Sequence, residues 1–180
     1  MNENTPLSTT KSAIQLGSLF GLLMILEFVI AYVFDIDPIS SPSVGILMNT
    51  FNYLIFPITF ITLACNAYKK ANGGFISFGT CLKIGVTLCV IAGLVYAIFA
   101  AVFMMIFPEF VEDLLRKTRD VYSRQPGMTA EALEMALSWT KKMMNPTISI
   151  PITIAMFAFF GLLYSLIIGA IVKKDQSHSF

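Results

Sequence analysis

The stretch Lys69-Lys70-Ala71-Asn72-Gly73-Gly74-Phe75-Ile76-Ser77-Phe78-Gly79 is the one segment whose residue types suggest phosphate chemistry. A phosphate-binding P-loop reads GxxxxGK[ST] and lies between a strand and a helix. Gly74 and Gly79 have the right spacing, but Thr80 stands where the lysine belongs, and Cys81 follows it. A long apolar run precedes the segment, and no strand does. A turn explains every residue. Lys69 and Lys70 suit the last turn of a helix, where cations favour the dipole. Asn72, Gly73 and Gly74 suit the left-handed conformation that ends a helix, and Ser77 suits the N-cap of the next one.

Two ionisable residues, Glu27 and Lys83, fall inside apolar runs. A charge within a membrane span is a functional hypothesis by default. Lys83 is placed two turns from a helix end, within snorkelling reach of water. For Glu27 two roles stand open: a hydrogen-bonded structural carboxyl, or a group that carries a proton or meets a substrate. Asn49, Asn52, Thr59 and Asn66 recur at spacings of three or seven, which places them on one side of a helix. Pro57, among them, removes one backbone hydrogen bond and frees the carbonyl of Tyr53. That stripe lines a wet path, or it bonds across a helix bundle.

Other chemistry is poorly represented. The only histidine is His178, in the C-terminal tail. Cys65, Cys81 and Cys89 form no CxxC pair and read as small apolar residues. Glu109, Glu112 and Asp113 cluster, but helical pairing with basic residues four positions on explains two of them. The inventory predicts no catalytic, cofactor-binding or metal-binding residue, no cofactor, and no enzyme.

The elements that must position these residues are spanning helices. Of 180 residues, 56% are hydrophobic and 13% charged, against roughly half and a quarter in soluble domains. The apolar excess falls into four blocks, Ala13–Phe34, Val44–Ala67, Ser77–Phe107 and Ile148–Val172. Each has the ~20 residues needed to cross a bilayer, where only a helix satisfies its own backbone. The first block is too long for a signal peptide and reads as an uncleaved span. Glu27 costs it about 3 kcal/mol on insertion scales, which its many Leu, Ile, Phe and Val residues offset at roughly 0.3–0.6 each. The predicted fold is an all-α membrane protein occupying residues 1–180, a four-transmembrane-helix bundle.

Between the third and fourth spans lies Pro108–Asn145. Phe110, Val111, Leu114, Leu115, Val121 and Tyr122 make a stripe of helical period. Glu112–Arg116, Asp113–Lys117 and Asp120–Arg124 are pairs at i,i+4. Gln125-Pro126-Gly127 breaks the helix, and Thr129 can cap a second one that carries Trp139. The segment reads as an amphipathic helical hairpin that rests on the membrane, caps the bundle or docks a partner.

Small residues set the packing. Cys81, Gly85, Cys89, Gly93, Ala97 and Ala101 recur at every fourth position of the third span. Gly17 and Gly21 in the first span, and Gly161, Ser165 and Gly169 in the fourth, are spaced alike. Such rows let helices approach closely, either within the bundle or against a second copy.

Lysines mark the cytoplasmic side. Lys11, Lys69, Lys70, Lys173 and Lys174 stand at one end of the spans, and both termini are predicted to be cytoplasmic. The six basic residues of the hairpin weaken that bias. The lysine pair, Asn-Gly-Gly and Ile-Ser-Phe-Gly, opening a long helix that ends in Phe107-Pro108, resembles the domain-of-unknown-function family 4199. The resemblance implies four spans and a bacterial inner-membrane location, and it supplies no catalytic residues. Two function classes follow. One is a non-catalytic subunit or scaffold of an envelope assembly; the other is a small transporter or lipid-handling protein using Glu27 and the stripe of the second span. Four spans without an internal repeat are few for a transporter. Membrane lipids and a protein partner or second copy are the expected partners; nucleic acid is not.

Overall fold

The computed structural model describes residues 9–174, which hold seven α-helices. They are α1 (Thr9–Val33), α2 (Pro42–Thr50), α3 (Phe56–Ala71), α4 (Phe78–Ile106), α5 (Pro108–Ser123), α6 (Ala130–Met143) and α7 (Pro146–Val172). A π-helical turn, Phe51–Ile55, joins α2 to α3 in one rod. Four rods are long and apolar enough to cross a membrane: Thr10–Val33, Pro42–Ala71, Phe78–Ile106 and Pro146–Val172. The protein is an all-α four-helix membrane bundle, with α5 and α6 inserted between its third and fourth spans. His178 lies outside the described residues.

Ser77 and Thr129 cap helices as the sequence predicts, Asn145 adds a cap, and Asn72, at φ −101°, lies outside the left-handed region expected for it. Ser77 caps α4 by accepting from the Thr80 amide at 3.2 Å. Thr129 caps α6 through the Ala132 amide, and Asn145 caps α7 through the Thr147 amide. Gly73 and Gly74 have φ of 63° and 88°, which closes the turn after α3. The turn also holds a second element. Lys69 Nζ donates to the Val172 carbonyl at 2.8 Å, and Ile76 and Lys174 exchange backbone hydrogen bonds of 3.1 and 2.9 Å. Lys174 Nζ lies 5.5 Å from the Phe75 ring centroid. The opening motif is therefore a structural clasp for the end of α7.

α4 is the centre of the bundle, with α7 on one face and α1 on the next. Its small-residue row serves the α7 face. A Cβ on Gly93 would lie 2.9 Å from Phe157 Cβ, and one on Gly161 would lie 2.9 Å from the Gly85 carbonyl. Gly85 meets Ser165, and Gly169 meets Cys81 and Phe78. On the other face Gly17 sits against Leu88 and Ile91, and Gly21 against Ala92 and Val95. The glycines named from spacing thus lie at close contacts within one chain. Ala101, the last rung, is only partly covered. The core between these helices and α3 is filled by Phe20, Phe60, Ile61, Ile84, Leu88 and Phe157. Phe20 stacks on Phe60 with centroids 5.4 Å apart. The second and third spans are joined in sequence, yet α4 packs mainly on α7 and α1, because the facing small residues are there.

Candidate functional site

Glu27 reaches into the bundle from α1 and meets the π turn. Asn52, in that turn, places its amide against the Glu27 carboxyl. Tyr96 from α4 lies within electrostatic range of both Glu27 and Tyr53. Glu27 Oε2 and Asn52 Oδ1 are each buried without a hydrogen-bond partner. Two such oxygens in one place are costly in hydrocarbon, since an unmet polar atom loses its full solvation. Protonating the carboxylate at Oε2 would supply the missing donor.

The π turn follows from Pro57. The proline has no N–H for the Tyr53 carbonyl, so the ladder before it widens, and Phe56 N–H bonds instead to the Phe51 carbonyl. Tyr164 Oη on α7 donates to the orphaned Tyr53 carbonyl at 2.7 Å. The sequence identifies that carbonyl as free; its partner, 111 residues away, carries no local signal.

The second-span stripe is not gathered at this site. Of its four members, only Asn52 turns inward; Asn49, Thr59 and Asn66 are exposed on the bundle surface. The inward member, Asn52, is the one that lies within the π turn, where the period departs from that of an α-helix. Lys83 is exposed on α4, away from the α7 seam, as snorkelling requires. Cys65, Cys81 and Cys89 are buried and free.

A second polar group lies just beyond the C-terminal end of α1, outside the spans. Lys117 on α5 stands among three carboxylates, 3.0 Å from Asp113 Oδ2, 3.5 Å from Asp37 Oδ2 and 3.9 Å from Asp35 Oδ1. Asp37 Oδ1 also accepts from the amides of Ile39 and Ser40. The lysine fastens the hairpin to the first connection. Asp113 pairs with Arg116 as well, so Arg116 takes its i,i+3 neighbour and leaves Glu112. Arg119 crosses to Glu134 on α6 at 2.9 Å. Beneath Lys117, Phe110 packs on Phe28, Tyr32 and Phe103 with centroids 4.9 to 5.9 Å apart across the cluster. Acids in Asp35–Ser43 and bases in α5 were visible separately; only the fold pairs them.

This lock has a pH signature. The Lys117 hydrogen bond holds the Asp113 carboxyl below its ordinary value of 3.8. For Asp37, partial burial pushes upward, but the Ser40 and Ile39 hydrogen bonds and Lys117 bring it below 3.8 on balance. Their stabilisation is present above that value and is lost as pH falls through the lowered pKa. The Asp113 hydrogen bond raises Lys117 above its ordinary 10.5, so its share is present below 10.5 and is lost as pH rises through the raised value. Lys117→Ala should release the hairpin at neutral pH. Spin labels at Ser43 and Asp120 should then show a broadened distance distribution, which the wild type shows only in strong acid or base. An unchanged distribution in Lys117→Ala would remove the lock.

No curated protein and no solved structure matches the chain. A family model described as "Protein of unknown function (DUF4199)" matches residues 15–174, which covers the bundle, the π turn and the hairpin together. On that match the chain is a member of the DUF4199 family.

Proposed function

We propose that this protein is a non-catalytic subunit or scaffold of an assembly in the bacterial inner membrane, with both termini in the cytoplasm. The observation that carries the reading is the exposed polar edge of the second span. Asn49, Thr59 and Asn66 point away from their own bundle, while Phe60, Ile61, Ala64 and Cys65 fill the face behind them. In hydrocarbon an exposed hydrogen-bonding side chain is best met by another helix, and each such bond contributes about 0.6–2 kcal/mol. Thr59 and Asn66 are two turns apart and share a face. The partner is a further spanning chain, of this kind or another. The orientation is supported by Lys69, Lys70, Lys173 and Lys174, which gather where α3 and α7 end.

A transporter or lipid-handling role is favoured by one observation, the unpartnered oxygens of Glu27 and Asn52. Photocross-linking from Thr59 in intact membranes tests the subunit reading, with an adduct to another spanning chain as the expected result.

A further inference from the structure

The outer lock covers a cavity that the subunit reading leaves unused. It has a volume of about 160 Å³ and lies between the end of α1, the Asp35–Ile39 connection and α5. An apolar cavity of roughly this size takes a six-carbon ring, so the space suits a short group of a few heavy atoms. Phe28, Tyr32, Met48, Phe110 and Leu114 wall it. Phe28 and Met48 belong to spanning rods, and Phe110 and Leu114 belong to the hairpin that starts where α4 leaves the membrane. The mouth therefore lies where apolar span gives way to charged surface, at headgroup level.

The charges at the mouth select the occupant. Asp35, Asp37 and Asp113 face a single lysine within the lining. Asp113 is engaged by Lys117 and Arg116, and Asp37 by Lys117 and two amides. Asp35 has only the 3.9 Å contact to Lys117, and its side chain is 97% exposed. It lines the cavity, lies just beyond the end of α1, and has a φ of 51°. The rim thus offers surplus carboxylate for a cation, and a cation on Asp35 would release the 3.9 Å contact of Lys117 for an anion beside it. The geometry points to a phospholipid headgroup with a primary ammonium, an ethanolamine phosphate, bound at this cavity. Its ammonium donates to Asp35 and Asp37, its phosphate is neutralised by Lys117, and its first apolar carbons lie along Phe28 and Met48.

The test uses delipidated full-length protein titrated with phosphatidylethanolamine, phosphatidylglycerol and phosphatidylcholine of one chain length, read by native mass spectrometry. Phosphatidylethanolamine should be retained several-fold more than the other two. Asp35→Asn should remove most of that preference without lowering the melting temperature, because Asn tolerates positive φ as Asp does. Leu114→Trp, which fills the cavity, should remove it as well. Equal retention of the three lipids, or a preference unaltered in Asp35→Asn, would overturn the proposal. Displacement of the lipid by equimolar free phosphoethanolamine would assign the cavity to a soluble ligand and overturn it too.

Discussion

Gly93→Leu lowers the thermal stability of the detergent-solubilised protein, with a cost on the order of 1–3 kcal/mol, typical of overpacking. The added Cβ would stand 2.9 Å from Phe157 Cβ and 3.0 Å from Cγ. Phe157 cannot easily yield. Its ring is buried, with Phe20 and Tyr53 rings each 5.9 Å away between centroids. The strain must then open the α4–α7 contact, which is the most extensive in the bundle. Leu94, the next residue, is 38% exposed and supplies the comparison. Leu94→Ala should change stability far less, since little packing is lost. If Gly93→Leu melts like the wild type, the seam described between α4 and α7 is wrong.

Glu27 gives the second large effect. Glu27→Leu removes the carboxyl set against the Asn52 amide and leaves that amide without this partner, at about 1–3 kcal/mol. Glu27→Gln keeps the size and supplies an N–H donor, so it can meet Asn52 Oδ1. In a structural role, Gln is close to silent in thermal stability and in assembly, and Leu is not. A group that must change charge gives the opposite pattern in function: Gln preserves the fold and abolishes activity. A Gln variant that is folded, present at normal level and unable to replace the wild type would move the leading reading to transport.

The spans were legible because hydrocarbon imposes one rule on every residue. The four predicted blocks match the observed rods to within about four residues at any end. The glycine rows were legible for a related reason: a four-residue period of small side chains has few uses other than close approach. What local spacing predicted poorly was direction. The stripe Asn49, Asn52, Thr59 and Asn66 was read as one helix face, yet Asn52, inside the π turn at Phe51–Ile55, turns inward while the other three face outward. Pro57 announced a break there, but a proline does not say whether the ladder kinks or widens. Long-range pairs lay beyond periodicity altogether. Tyr164 on the Tyr53 carbonyl, Lys69 on the Val172 carbonyl and Lys117 among Asp35 and Asp37 join residues that only the folded bundle brings together.

In the subunit reading, the exposed edge of the second span meets another chain. A photoreactive residue at Thr59, in cells expressing the protein at native level, addresses it directly. Leu19 and Leu166, exposed on α1 and α7, serve as the comparison positions. One discrete adduct to a spanning protein is expected from Thr59 and Asn66, and only lipid adducts from the comparison positions. Lipid adducts alone from all four positions would contradict that expectation and leave the polar edge without the partner that the subunit reading requires.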